Sequence, residues 1–241
     1  MPVGDEGVDA PGPAANAEFR DRAVYLPAAD ALVLADLHVG RDAVANVELP
    51  LGERADLTGR LDALLDRFAP AEVVFAGDVL QAFDHVPDGV EATVTALRRR
   101  VADAGADLTV VRGNHDAMLG TVVDHRDEYR LADDTLVCHG HETPDGTAPR
   151  YVVGHDHPAI EIEGRKRPCY LWGPDVYAGS DVLVLPAFTR LAAGVVVNRL
   201  SGSDFDSPLV TRANDFRPIV RDEDGDETYR FPPLGEFRRL L

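Results

Sequence analysis

The chain has 241 residues, 45% of them hydrophobic, which is enough to bury one sizeable core. No apolar run approaches the roughly 18 residues of a membrane span, and no basic stretch followed by an apolar one opens the sequence, so a soluble cytoplasmic protein is expected. Two cysteines, Cys138 and Cys169, are too few for a disulfide framework, and the acidic residues behind the net charge of −18 are scattered rather than gathered into one block.

Residues 1–18 are rich in Gly, Pro, Ala and acidic side chains without an apolar period and read as a disordered leader. The fold is expected to begin near Ala23, in a single domain spanning 19–200. Residues 31–35 (ALVLA), 72–76 (EVVFA) and 108–111 (LTVV) read as buried strands. Between them, Leu57, Leu61, Leu64, Leu65 and Phe68 recur at helical spacing, and so do Val90, Val94, Leu97 and Val101. Further strands are predicted at 135–138, 151–153, 182–185 and 194–197. Two strand-helix units followed by a strand-rich half predict an α/β domain, either one mixed sheet or two sheets face to face with helices outside. Residues 201–241, with an acidic run over 221–227, are expected to form a peripheral tail that packs through a few aromatics.

Each strand ends in a polar cluster: Asp36 and His38, then Gly77-Asp78, Gly113-Asn114-His115-Asp116, His139 and His141, and His155-Asp156-His157. Six of the eight histidines lie in this series, and ligands of α/β folds gather beyond the carboxyl ends of strands. Asp36 and His38 are two apart and share a face of an extended segment, as do His139 with His141 and His155 with His157. Alone, an Asp-x-His or a Gly-Asp is most often a turn, and Asn-His after Gly is equally a loop with a solvated imidazole. Two His-x-His pairs directly after apolar strands point to metal instead.

Two aspartates, one asparagine and four or five histidines exceed the needs of one tetrahedral ion and suit two ions sharing a carboxylate. An N/O donor set without thiolate fits Mn²⁺, with Fe or Zn²⁺ as alternatives. Cys138 alternates with His139 and is expected to face the core. Two such cations about 3.5–4 Å apart stabilise both oxygens of an in-line displacement at phosphorus.

In order and spacing over residues 36–157, the series resembles the calcineurin-like metallophosphoesterase superfamily. More narrowly, 35–40 (ADLHVG), 154–158 (GHDHP) and 185–188 (LPAF) resemble small archaeal phosphoesterases related to the SbcD nuclease subunit. The resemblance implies a four-layer α/β sandwich of two mixed β-sheets flanked by helices. It implies that Asp36, His38 and His157 bind one metal, that Asn114, His139 and His155 bind the second, and that Asp78 bridges them. His115 would act as the catalytic acid or a phosphate contact, Asp116 would orient it, and His141 would stand behind the ligands. A metal-bridging hydroxide would attack phosphorus.

The chain departs from the pattern after Asp78, reading Val79-Leu80-Gln81-Ala82-Phe83-Asp84-His85, so the phosphate-gripping arginine of protein phosphatases has no counterpart. His85 is an alternative phosphate contact, or an exposed loop histidine. The expected substrate is a phosphodiester, nucleic acid included; a small nucleotide or phosphomonoester is the alternative, and a non-catalytic scaffold of the same fold a third reading. Of 24 Lys plus Arg only Lys166 is lysine, which reads as the solvent adaptation of a salt-loving archaeon. In molar salt the Debye length is about 3 Å, so an acidic surface does not exclude DNA or a nucleotide as partner. Arg165-Lys166-Arg167 reads as a solvated basic turn or a phosphate-backbone contact.

Overall fold

The structure is a computed structural model that describes residues 16–41, 52–81, 86–87 and 89–239. Residues 1–15 of the expected leader, and His85, lie outside these residues.

The first half supplies a five-stranded sheet in the order β1 (Glu18–Arg20), β2 (Ala23–Leu26), β3 (Ala31–Leu34), β4 (Glu72–Ala76) and β5 (Asp107–Val111). β3, β4 and β5 run parallel, as crossovers through α1 (Glu53–Phe68) and α2 (Val90–Asp103) require. α1 has Glu53 and Asp56 in its first turn and Arg67 in its last, matching the helix dipole, and it stops at Ala69 ahead of Pro70. Leu57, Leu61, Leu64 and Leu65 of α1 and Val90, Val94, Leu97 and Val101 of α2 pack on Leu32, Leu34, Val73 and Phe75 of the sheet. A fully buried Leu or Val contributes about 1.5–3 kcal/mol, so this stripe holds the helical layer in place.

The second half folds into a seven-stranded mixed sheet in the order β15, β14, β11, β12, β8, β7, β6. Its strands are β6 (Glu128–Arg130), β7 (Thr135–Cys138), β8 (Arg150–Val153), β11 (Tyr170–Tyr177), β12 (Ser180–Val184), β14 (Arg217–Asp222) and β15 (Glu227–Arg230). The period-2 alternation of strands sends Val33, Ala35, Val74 and Val111 of the first sheet against Val137, Val152, Trp172 and Leu183 of the second. The opposite residues, among them Leu136, Cys138, Tyr151, Val153, Val182 and Val184, form an outer core. A three-stranded sheet of β10 (Arg165–Pro168), β9 (Pro158–Ile162) and β13 (Val195–Val196), short 3₁₀ turns and α3 (Leu234–Phe237) provide the remaining cover. The result is the expected mixed α/β sandwich. Cys138 faces the outer core as expected, and burial pushes its thiol up to about 12.

Four expectations are corrected. The fold starts before Ala23: β1 reaches back to Glu18, with Ala17 and Phe19 buried and Phe19 against Tyr170 at a ring separation of 4.7 Å. A three-residue strand is too short to show a period. The segment after Ser201 is integral rather than peripheral, since β14 pairs with β11 and buries Ile219 and Val220 while Leu209, Val210 and Phe216 fill the outer core. Its acidic run becomes the end of β14 and the turn into β15. The strand expected at 194–197 shrinks to Val195–Val196 and belongs to the small sheet, because a 3₁₀ turn begins at Val197. Arg165-Lys166-Arg167 is strand β10 rather than a turn, the reversal being made at Glu163-Gly164.

Candidate metal centre

Beyond their last paired residues the strands continue to hold one another through isolated backbone bonds, and this sets the site. Asp36 N–H donates to Gly77 O at 3.0 Å, His38 N–H to Asp78 O at 2.9 Å and Val39 N–H to Val79 O at 2.8 Å, so the loops after β3 and β4 stay zipped. The loops after β7 and β8 are joined by Gly154 N–H to His139 O at 3.0 Å. The segment after β12 crosses between the sheets, where Phe188 N–H reaches Ala35 O at 2.8 Å. Arg60 secures that crossing, with its guanidinium over the Phe188 ring at 3.9 Å and Nη1 donating to Phe188 O at 2.6 Å.

This framework brings the predicted residues together. Asp36, His38 and His157 form one group whose donor atoms lie within 4.8 Å of one another; His38, Asp78 and His115 form a second, and Asp36, Asp78 and His139 a third. His157 Nε2 lies 3.2 Å from both Asp36 Oδ1 and His38 Nε2. Asp78 Oδ2 lies 3.4 Å from His139 Nε2 and 3.9 Å from both His38 Nε2 and His115 Nε2. Asn114 Oδ1 is 3.0 Å from His139 Nε2. His155 belongs to none of the three groups; its ring stands beside His139 at 5.0 Å, and its backbone N–H donates to Asp36. His141 stands behind His139, their ring centres 5.2 Å apart.

The backbone here is strained. Of 14 non-glycine residues with positive φ among the described residues, five are Asp36, His38, Asp78, His155 and His157. The left-handed conformation costs roughly 1–2 kcal/mol per residue, and such strain concentrates at functional sites. Close approach adds a second constraint. A Cβ on Gly154 would lie 2.5 Å from Asp36 Oδ2 and 2.6 Å from Ala35 Cβ, and one on Gly113 would overlap the Asp78 carboxylate.

The electrostatics fit divalent cations. Asp36 and Asp78 are almost fully excluded from solvent, where isolated carboxylates would be costly. Burial works against the charge of Asp78, yet His139, the His115 N–H and His38 hold its carboxyl well below the usual range. Burial lowers His38 to about 4; burial and then the charge of His139 lower His155 to about 4 as well. Both rings therefore offer lone pairs at neutral pH. Burial also opposes charge on His139, but Asp78, Asp36 and the Ala76 carbonyl together raise it to about 9. Burial likewise opposes charge on His157, and Asp36 raises it overall. His139 Nδ1 faces Ala76 O at 3.2 Å, which directs Nε2 into the site in the manner of a metal-ligating histidine. Two buried carboxylates that raise the basicity of His139 and His157, together with an amide oxygen and the neutral imidazole of His38, make a donor set that suits divalent cations.

Asp116 takes a place that the sequence did not reveal. Its buried carboxylate accepts from the backbone N–H groups of Val79 at 3.2 Å, Leu80 at 2.8 Å and Gly113 at 2.9 Å. It thus ties the loop after β4 to the loop after β5 and sets His115 through the backbone. Arg22 and Arg190, which with Lys166 border His157, went unnoticed because the three come from separate segments without a shared motif.

The solved structure of Pseudomonas putida nuclease MPE is 27% identical to the chain, with a TM-score of 0.60 over 83% of this chain and 88% of that one. That of Yfce, a phosphoesterase from E. coli, is 13% identical with a TM-score of 0.42 over 84% of this chain and 98% of that one. No curated protein matches the chain by sequence. The model of the calcineurin-like phosphoesterase family matches residues 30–184, a span that contains every residue of the cluster, and the chain belongs to that family.

Proposed function

We propose that the chain is a phosphoesterase that hydrolyses phosphodiesters, nucleic acid included, with two divalent cations. The observation that carries this reading is the convergence of Asp36, His38, Asp78, His139 and His157, from four strand ends in two sheets, into donor groups that share Asp36 and Asp78. Asp36, His38 and His157 would hold one cation and Asn114, His139 and His155 the other, with Asp78 between them. The lack of a thiolate in the cluster favours Mn²⁺ over Zn²⁺, with Fe as a further substitute. When bound, the two cations neutralise phosphoryl oxygens and lower the pKa of water toward neutrality.

The remaining chemistry belongs to this chain's own side chains. His115 is partly exposed at the mouth of the site, its Nε2 facing Asp78, where it can hand a proton to the leaving oxygen. Asp116 holds the loop that presents it. His139 is held by the Ala76 carbonyl so that Nε2 points inward.

The likeness to a nuclease supports a diester over a monoester, as does the resemblance of residues 35–40, 154–158 and 185–188 to SbcD-related phosphoesterases. The acidic composition, with one lysine, supports a salt-loving archaeal source, and the two cysteines support a reducing, cytoplasmic setting. Among the described residues no helix is long and apolar enough to cross a membrane. A panel of p-nitrophenyl phosphate, bis-p-nitrophenyl phosphate and DNA, run with Mn²⁺ in high salt on wild type and His115→Ala, tests the reading. Wild type is expected to favour the diesters, and His115→Ala to lose turnover by about 10²–10⁴-fold while keeping its metal. Activity on the monoester alone, or on nothing, refutes it.

A further inference from the structure

His157 is both a donor of the metal cluster and a wall of a second cavity of about 240 Å³. That is smaller than the roughly 300–1,000 Å³ typical of a pocket for a whole ligand, and suits one unit of a longer substrate. Its walls are small and flat, with Pro158, Pro168 and Pro186 among them, and three cations reach it from separate segments: Arg22, Lys166 and Arg190. No carboxylate lines it. Three other surface cavities of this acidic chain carry Asp107 and Asp124, Glu91 and Asp103, or Asp21 and Glu223.

Two of these cations face neutral partners. Lys166, the chain's single lysine, donates to Gly194 O at 2.5 Å, and Arg22 uses Nη1 alone to hold Ala187 O at 3.2 Å and Thr189 O at 2.5 Å. Arg190 pairs with Asp21 and Asp56 at 3.4 and 3.2 Å, and neither carboxylate enters the lining. Burial, then the charges of Arg60 and Arg190, lower Arg22 to about 10. The cavity also adjoins the metal cluster through His157. β9 starts directly after His157, and Val195 N–H of β13 donates to His157 O at 2.8 Å, so the wall is anchored to the backbone that carries the imidazole.

We propose that this cavity is a subsite for a flanking phosphate, binding the phosphate next to the scissile one in a nucleic-acid strand through Lys166, Arg190 and Arg22. The proposal rests on the phosphodiesterase reading and narrows its substrate from any diester to a chain with at least two phosphates. It gives Lys166, in the basic hairpin strand β10, a phosphate-backbone role. Phosphate contacts of this kind position a strand without reading its sequence, so cleavage is expected to be sequence-tolerant.

The test compares thymidine dinucleotides with one internal phosphate against the same dinucleotides bearing an added 5′- or 3′-terminal phosphate, with Mn²⁺ present. Wild type should show a lower KM for one of the phosphorylated forms, and Lys166→Ala/Arg190→Ala should erase that preference, at roughly tenfold per cation removed. Turnover of bis-p-nitrophenyl phosphate should stay within about twofold of wild type, since it has no second phosphate to lose. Lys166→Arg should restore most of the effect. In parallel, anisotropy of a fluorescent oligothymidylate in EDTA should show weaker binding by the double variant and a salt slope lower by about 0.7. Equal KM values for all dinucleotides in wild type, or a preference that survives the double substitution, overturns the subsite. If wild type hydrolyses no diester at all, the functional reading falls, and the EDTA binding arm then decides the subsite: binding lost in the double variant upholds it, and equal binding overturns it.

Discussion

Replacing Asp116 by asparagine keeps the shape of a side chain that never needs to touch substrate, and so isolates its clamp. Its carboxylate receives Val79 N–H and Gly113 N–H on Oδ2 and Leu80 N–H on Oδ1. An amide oxygen placed at Oδ2 keeps the first two, but the amide NH₂ then faces Leu80 N–H, donor against donor. That loses one charge-assisted bond and strands a buried N–H, about 2–4 kcal/mol in all. Burial raises the pKa of Asp116, so the neutral amide recovers part of the cost of desolvating the charge. The lower end, about 2 kcal/mol, is therefore expected for Asp116→Asn, and about 3–6 kcal/mol for Asp116→Ala, which strands all three donors. Urea unfolding reads this as a lower midpoint at unchanged slope. Because Val79 and Leu80 directly follow Asp78, Mn²⁺ affinity should fall alongside stability. An asparagine variant within about 0.5 kcal/mol of wild type would show that the clamp is not what holds the loops together.

Gly154→Ala places a Cβ 2.5 Å from Asp36 Oδ2, so calorimetric titration should show cation binding lost while the fold loses only about 1–3 kcal/mol. Mn²⁺ at a hundredfold excess over its Kd should stabilise the protein by about 2.7 kcal/mol for each site filled, a rise of about 5–10 °C in melting temperature per cation that EDTA reverses and that Asp36→Asn diminishes. Cys138→Ser should leave Mn²⁺ binding intact, because the thiol faces the outer core and not the cluster; a lower unfolding midpoint with unchanged metal stoichiometry is the expected record. Phe188→Ala removes the ring beneath Arg60 and should cost about 3–5 kcal/mol in denaturant unfolding, loosening the crossing that reaches Ala35.

The cluster was legible in the sequence because each of its residues directly follows a short apolar run, and parallel strands put such ends on one side of a sheet. β4 and β7 were placed to the residue, and every apolar position read at helical spacing lies within α1 or α2, since strict apolar spacing bounded by Gly or Pro leaves little freedom. The rest hides for identifiable reasons. β11 carries Gly173 and Pro174 in its middle, a composition that argues against a strand, and its register shifts between Gly173 and Tyr177. β10 is a run of Arg, Lys, Arg and Pro at a sheet edge, with no apolar face to announce it. Asp116 belonged to a recognisable motif, yet its partners are backbone groups of another loop, which no side-chain pattern encodes. The cationic cavity is assembled from residues 22, 166 and 190, distant in sequence and brought together only by tertiary packing.

The most direct measurement of the central claim is hydrolysis of bis-p-nitrophenyl phosphate by the wild-type protein and Asp78→Asn, each with and without Mn²⁺, in high salt. The site geometry predicts Mn²⁺-dependent hydrolysis by wild type, and none by Asp78→Asn, because the carboxylate that faces His38, His115 and His139 has lost its charge. Wild-type hydrolysis that is absent, that is indifferent to Mn²⁺, or that survives Asp78→Asn undiminished would contradict it.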